Sequence, residues 1–117
     1  MATAELLVDT DVLIDHLRGV RRLRADGALM GLSVVSRCEL FAGRDEPERL
    51  RRFLSPMVQL PIDPAIAELA GVTRRDTGIA TPDALIAATA LAHDIPLMTR
   101  NRRHFERVAD LRSLGPT

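Results

Sequence analysis

The segment LLVDTDVLI (residues 6–14) runs from apolar residues directly into two carboxylates placed two positions apart, Asp9 and Asp11. Residues i and i+2 of an extended strand face the same side, so the two carboxylates are predicted to share one site. Like charges about 4 Å apart repel by roughly 1 kcal/mol in water and about 4 kcal/mol at an intermediate effective dielectric. The pair therefore predicts either a raised pKa or a bound cation.

The composition predicts one compact domain over residues 1–117. Of the 117 residues, 46% are hydrophobic, which suffices for one core and leaves little for a second. Cys38 is the only cysteine, so no intramolecular disulfide is possible. The N-terminus lacks a secretory signal pattern, and the apolar runs are shorter than the roughly 20 residues that cross a bilayer. We therefore expect a cytoplasmic protein without a membrane span.

The charges balance. Sixteen basic and sixteen acidic residues give a formal net charge of zero, so affinity for a polyanion has to come from a local patch. All the basic residues are Arg and none is Lys. Planar guanidinium groups suit phosphate or carboxylate, although genome base composition explains this preference equally well.

Short apolar runs alternate with segments of helical spacing along the chain. Strands are predicted at 5–8, 29–34, 57–60 and 95–99, with a weak edge strand at 108–114. Helices are predicted at 11–17, 36–42, 46–54, 63–75 and 81–92, with a helical turn at 102–106. This alternation predicts a three-layer α/β/α sandwich around a mainly parallel sheet of four to five strands. In such folds ligands bind beyond the carboxyl ends of the strands, where Asp9, Asp11 and Asn101 are placed.

Several acids also have a local structural explanation. Asp11 is placed to be the N-cap of the first helix. Glu39 follows Ser36 at the spacing of a capping box. Asp83 lies in the first turn of a helix whose predicted N-cap is Thr81, where the helix dipole favours an acid.

Asp9 is harder to explain structurally, because it ends an apolar strand before the predicted cap position and has no obvious local donor. Taken together, Asp9, Glu39 and Asp83 are predicted to lie at one edge of a parallel sheet. Hard carboxylate oxygens without Cys or paired His ligands suit Mg²⁺ or Mn²⁺ rather than zinc. Such a site lowers the pKa of water and neutralises a phosphoryl group, so hydrolysis of a phosphodiester is the natural interpretation.

Other polar residues indicate structural roles. Asp15 and Arg18, three residues apart on a helix, are interpreted as a solvated pair. Cys38 has no candidate catalytic partner and is predicted to be a buried or half-buried thiol.

Four blocks of the chain, taken together, resemble the PIN-domain family of metal-dependent ribonucleases, and within it the VapC-like toxins of toxin–antitoxin (VapBC) systems. The blocks stand in the family's order: LLVDTDVLID (6–15), SVVSRCELFAG (33–43), TPDALIAATALA (81–92) and LMTRNRRHF (97–105). The resemblance covers nearly the whole chain. It implies a single PIN-like domain over residues 1–117 and Mg²⁺-dependent cleavage of RNA by metal-activated water, with Mn²⁺ as the alternative ion.

The resemblance also implies roles for individual residues. The catalytic, metal-binding acids are Asp9, Glu39 and Asp83, with Asp9 the least replaceable. The supporting residues are Asp11, Thr99 and Asn101.

Two positions depart from the family pattern. Asn101 stands where many relatives have an acid, and His104 stands where Asp is frequent. An Asn amide oxygen can ligate a metal but adds no charge, which argues against a second metal. Our hypothesis is that Asp11, at a position often occupied by Asn in relatives, replaces part of the missing charge.

Arg100, Arg102, Arg103 and Arg107 cluster after the last predicted strand of the site and are candidates for RNA binding, or form a solvated turn. With three Phe, no Trp and no Tyr, the chain lacks an aromatic platform for stacking bases, so recognition is predicted to rest on phosphates and RNA shape. The resemblance implies a structured substrate such as tRNA or rRNA, a homodimer, and a small cognate antitoxin. The apolar residues Leu40, Phe41, Leu50, Phe53 and Leu54 either form the docking surface for this antitoxin or belong to the core.

Two rival functions remain open from the sequence. An apolar strand followed by Asp-x-Asp also opens haloacid-dehalogenase-like phosphatases, with Asp9 as nucleophile, but that family normally requires a downstream Lys. The second rival is a non-catalytic PIN-like module that binds RNA or protein, for which Asn101 is the best argument.

Overall fold

A computed structural model of the protein describes residues 3–116. The strands are β1 (Leu6–Val8), β2 (Met30–Ser33), β3 (Val58–Leu60), β4 (Leu97–Met98) and β5 (Ser113–Leu114). The helices are α1 (Thr10–Leu17), α2 (Val34–Phe41), α3 (Pro47–Leu54), α4 (Pro64–Thr77), α5 (Thr81–Ala92) and α6 (Arg102–Phe105). No helix in this part of the chain combines the length and apolar character needed to cross a membrane.

The five strands form one sheet in the order β3-β2-β1-β4-β5, and every neighbouring pair is parallel. The predicted sandwich with a parallel sheet is confirmed. The strand order reverses at β1, because β2 and β3 lie on one side of it and β4 and β5 on the other. Crevices at such reversal points are the usual ligand sites of open α/β sheets. This places the carboxyl ends of β1 and β4 at the predicted site.

Alternation along the strands produces a core on each face of the sheet. Leu7 and its register partner Leu97 join the core that contains residues of α4 and α5. Val8 and its register partner Met98 join the opposite core with residues of α1, α2 and α3. The strands are short and buried on both faces, which is why they appear in the sequence as continuous apolar runs. Helices on both faces hold β1 and β4 rigidly beneath the site.

The helix caps differ from the prediction for α1 and α5. Asp9 is the N-cap of α1, with its side chain accepting from Thr10 N, so the assignment of this role to Asp11 is wrong. Asp11 lies instead in the first turn. For α5 the N-cap is Ala80, without a side-chain cap hydrogen bond, and Thr81 is already helical. α1 thus begins one residue earlier than predicted, whereas α5 has the predicted bounds and only its cap residue differs.

The predicted capping box in α2 is also wrong. Ser33, at the end of β2, caps this helix by accepting from Val35 N at 3.1 Å. Ser36 therefore lies within the first turn and is fully buried. Glu39 is consequently free of a capping role.

The inward face of α2 consists of Ser36 and Leu40, one helical turn apart. Cys38 lies on the outward face and is exposed, contrary to the prediction of a buried or half-buried thiol.

The apolar residues that were considered as a docking surface belong mostly to the core. Leu40, Leu50 and Leu54 are buried, and the partly buried Phe41 and Phe53 pack on them.

The edge strand is shorter than predicted. β5 covers only Ser113–Leu114 of the predicted 108–114 and pairs in parallel with β4. Val108 belongs instead to the core beneath α5 and α6.

Candidate active site

Asp9 lies at the centre of the site because it follows β1 and opens α1. Its backbone N–H donates to Met98 O at 2.9 Å, which fixes the residue at the reversal point of the sheet. The side chain is only 6% exposed. Thr10 N donates to Asp9 Oδ1 at 2.8 Å, and the Thr99 hydroxyl donates to Oδ2 at 2.8 Å. Asp9 thus has the local donor that its sequence context did not reveal, and both carboxylate oxygens are oriented.

The pKa of Asp9 is raised from its ordinary value of 3.8 to about 6, chiefly by burial. The negative charges of Asp11 and Asp83 contribute to this rise, whereas the hydrogen bonds from Thr99 and Thr10 act in the opposite direction. The pKa of Asp11 is raised as well, chiefly by burial. The repulsion between Asp9 and Asp11 that the sequence predicts does raise the pKa of Asp9, but burial raises it more.

Glu39 reaches the site from α2 through Thr10. The Thr10 hydroxyl lies 2.7 Å from Glu39 Oε1 and 2.9 Å from Ser36 Oγ. A hydroxyl has one proton and a carboxylate only accepts, so Thr10 donates to Glu39. This contact joins the first turn of α1 to α2 and directs the Glu39 carboxylate toward Asp9. Glu39 as a whole remains exposed to solvent.

Asp83 completes the set from the first turn of α5. Its Oδ2 lies 3.0 Å from His104 Nε2, and both side chains are about one-third exposed. The helix dipole of α5 also favours a negative charge at this position. His104 therefore orients one oxygen of Asp83 and leaves the other available.

These side chains line one open pocket of about 250 Å³. Its lining contains the three predicted acids and the supporting residues Asp11 and Asn101, together with Thr10, Ile14, His104 and Phe105. Thr99 acts from beneath, through its hydrogen bond to Asp9. The structure thus brings Asp9, Glu39 and Asp83 together as the sequence predicted.

The pocket offers the carboxylate oxygens of Asp9, Glu39 and Asp83, which are the ligands that a hard divalent cation prefers. Within residues 3–116, no three His, Cys, Asp or Glu side chains converge closely enough to hold a metal by themselves. Mg²⁺ keeps several waters and is usually held by one or two carboxylates, so a tight cage of three side chains is not required. The buried charge of Asp9, with two further acids raising its pKa, is the feature that a cation would relieve.

The arginines after β4 do not form one uniform patch. Arg100 NH1 donates to Asp15 Oδ1 at 2.9 Å and to Oδ2 at 3.1 Å, so its guanidinium is engaged within the protein. The interpretation of Asp15 as the solvated partner of Arg18 is wrong, because Asp15 is 6% exposed and faces Arg100. Arg102 and Arg103 are exposed on α6, and Arg102 donates to Ser113 Oγ at 3.3 Å.

No role in the site was predicted for Thr10 or His104, and Ser36 was predicted only as a partner of Glu39 in a capping box. A signal was present for Ser36, which stands three residues before Glu39 and hence on the same helical face. The contacts of Thr10 with α2 and of His104 with α5 cross the fold, and no local pattern indicates them.

A parallel α/β/α sandwich with carboxylates gathered at its strand-order reversal defines a class of domain suited to binding a divalent cation. A family model described as "PIN domain" matches residues 6–111, and the chain belongs to this family. This membership confirms the predicted resemblance and removes the phosphatase alternative.

Within the family, the chain is similar to proteins named VapC. Ribonuclease VapC19 of Mycobacterium tuberculosis is 38% identical, covering 90% of this chain and 95% of the relative. Ribonuclease VapC10 of the same species is 41% identical, covering 86% of this chain and 85% of the relative. A solved toxin–antitoxin complex from Klebsiella pneumoniae contains a chain that matches with a TM-score of 0.81 and 31% identity, covering 96% of this chain and 98% of that one.

Proposed function

We propose that the protein is a Mg²⁺-dependent endoribonuclease toxin, in which Asp9, Glu39 and Asp83 hold the cation and a cognate antitoxin neutralises the activity. The observation that carries this proposal is the buried Asp9 in an acidic pocket at the strand-order reversal. The similarity to ribonucleases VapC19 and VapC10 supports RNA as the substrate.

The side chains have separate tasks in this site. Asp9 supplies carboxylate oxygens from the start of α1 and Asp83 from the first turn of α5, and Glu39 supplies a third carboxylate from α2. Thr99 and Thr10 orient Asp9 through hydrogen bonds of 2.8 Å, and His104 orients Asp83. A bound divalent cation supplies neutralisation of the phosphodiester charge and a lower pKa for an attacking water. The ion we propose is Mg²⁺, and Mn²⁺ is the alternative because it shares the preference for carboxylate oxygens.

The proposed RNA contacts are Arg102 and Arg103, which are exposed on α6 beside the acidic pocket. His104 and Phe105 of the same helix line that pocket. Guanidinium groups recognise phosphates without reading base identity. The substrate we propose, from the family resemblance, is a structured RNA of the tRNA or rRNA class, recognised through its backbone and shape.

The proposed partners are a small antitoxin and a second copy of the chain. The similarity to the Klebsiella pneumoniae toxin–antitoxin complex supports the antitoxin. The homodimer and a cytoplasmic site of action are inferred from the VapC-like character of the sequence.

The decisive experiment compares purified wild type and Asp9→Asn on a total tRNA and rRNA mixture with Mg²⁺, with Mn²⁺ and with excess EDTA. We expect the wild type to cut RNA internally only with a divalent ion, and Asp9→Asn to lose this activity while remaining folded by circular dichroism. RNA binding without cleavage by a folded wild type under every ion condition would refute the enzyme and support the non-catalytic module. Cleavage that persists in Asp9→Asn would remove Asp9 from the mechanism.

A further inference from the structure

Asp15 is a buried carboxylate that the proposed mechanism does not use. It lies on α1 one turn after Asp11, so the two acids share a helix face. Its side chain is 9% exposed, and Arg100 holds both of its oxygens, at 2.9 Å and 3.1 Å. Both oxygens contact one nitrogen, NH1, so Asp15 holds this end of the guanidinium through charge-assisted hydrogen bonds.

The same guanidinium passes close to Asp11 without closing on it. Arg100 Nε lies 3.8 Å from Asp11 Oδ2, and Arg100 N lies 3.5 Å from Asp11 Oδ1. Thr99 Oγ1 is also 3.5 Å from Asp11 Oδ2, but its single proton is used for Asp9 at 2.8 Å. Asp11 thus has an arginine within reach, yet its carboxylate still lines the acidic pocket.

We propose that Asp15 is a positioning residue that holds the Arg100 guanidinium off Asp11, so that the Asp11 carboxylate remains available to a divalent cation in the acidic pocket. Without Asp15, Arg100 closes on Asp11 and competes with the cation for its oxygens. Arg100 is then a side chain that Asp15 keeps away from the cation ligand, and it is not an RNA contact. This inference rests on the proposed function in one respect, namely that the pocket binds a divalent cation.

Binding of Mn²⁺, measured by electron paramagnetic resonance of the free ion, tests the inference without any RNA cleavage. We expect Asp15→Asn to weaken Mn²⁺ binding about tenfold, the scale of one charge-assisted hydrogen bond gained by a competitor. We expect the double variant Asp15→Asn/Arg100→Gln to recover to within about threefold of wild type, because the competing guanidinium is gone.

The recovery separates positioning from a merely structural ion pair. If the pair only fastens β4 to α1, the double variant binds Mn²⁺ as weakly as Asp15→Asn or more weakly, and the inference is wrong. Arg100→Gln alone provides a second test should Asp15→Asn not fold. We expect its Mn²⁺ affinity to equal or exceed that of wild type, whereas a clear loss would contradict the competition.

RNA kinetics address the other role considered for Arg100. We expect Arg100→Gln to leave the KM for RNA and its salt dependence unchanged. A raised KM with a shallower salt dependence is the result for a phosphate contact, and it would overturn the inference.

The matched control is Asp94→Asn. Asp94 also pairs with an arginine, Arg112, at 3.3 Å, but its side chain is 98% exposed and outside the acidic pocket. We expect this variant to bind Mn²⁺ as wild type does.

Asp9→Asn separates failure of this inference from failure of the proposed function. If wild type binds Mn²⁺ and Asp9→Asn does not, unchanged binding by Asp15→Asn refutes only the present inference. Absence of Mn²⁺ binding by wild type would refute both proposals.

Discussion

Two cavities of the protein differ in size and in chemistry, and the smaller one is the candidate active site. The larger, about 540 Å³, lies between α4 and the turn after α6, and its apolar lining is Leu69, Val72, Leu91 and Val108. Its charged residues, Asp76, Asp94, Arg107 and Asp110, are exposed and solvated. The acidic pocket has about 250 Å³ and contains a carboxylate that is 6% exposed. Loss of solvent around a charge, rather than volume, therefore identifies the site.

The largest expected difference between the cavities concerns catalysis. We expect Asp83→Asn to lower kcat/KM for RNA cleavage by about 1000-fold, or about 4 kcal/mol, because the cation loses a charged ligand. The same substitution in the larger cavity, Asp76→Asn, should leave kcat/KM within about twofold. Steady-state cleavage of one defined RNA by both variants measures the contrast. Equal losses in the two variants would break the distinction between the cavities.

The second expected difference is a pH dependence of stability that originates in the acidic pocket. The pKa of Asp9 is raised to about 6 in the folded protein, whereas an unfolded Asp has its ordinary value of 3.8. Between these values the folded state binds more protons than the unfolded state, so the free energy of unfolding decreases as pH rises through this window. The loss amounts to at most about 3 kcal/mol, and the stabilising effect of protonation is complete below about pH 4.

Urea unfolding of the metal-free protein at pH 5 and pH 7.5 measures this dependence. We expect wild type to be more stable at pH 5, and Asp9→Asn to lose most of the difference. Asp76→Asn, with its exposed side chain, should keep the wild-type pH dependence. An equally steep dependence in Asp9→Asn would locate the responsible group elsewhere.

The smallest expected effect is that of a substitution in the larger cavity. Leu69 is 36% exposed at the larger cavity, and we expect Leu69→Gln to change the free energy of unfolding by less than about 0.5 kcal/mol. RNA cleavage should be unchanged. Urea unfolding and the cleavage assay check both points, and a substantial loss of either property would assign this cavity a role that its chemistry does not indicate.

The fold was predictable because its signals are local. Buried parallel strands give short apolar runs, and the intervening segments have helical spacing, so the layers and the positions of Asp9, Glu39 and Asp83 followed from the sequence and the family resemblance. The helix caps were not predictable at the same level. Asp9 caps α1 because the chain turns directly after β1, whereas the local pattern favoured Asp11 as the cap.

The contacts that orient the acids could not be predicted from the sequence because their partners are far apart along the chain. Asp15 and Arg100 are 85 residues apart, and the pattern at three-residue spacing suggested Arg18 as the partner instead. Helical neighbours can be inferred from spacing, but a pair across the sheet edge depends on how β4 docks beside β1. The same applies to His104 and Asp83, which are 21 residues apart on different helices.

The hydrogen bond from Thr99 to Asp9 also has a consequence for the synthesis of the protein. Ninety positions separate the two residues, and β4 must pair with β1 before the hydroxyl can reach the carboxylate. Contacts between such distant segments form late, because a long loop has to close first. A growing chain that has not yet added Thr99 lacks one of the two donors to Asp9, as well as Asn101 and His104. Every residue between Asp9 and Thr99 is therefore synthesised before the acidic pocket can be completed.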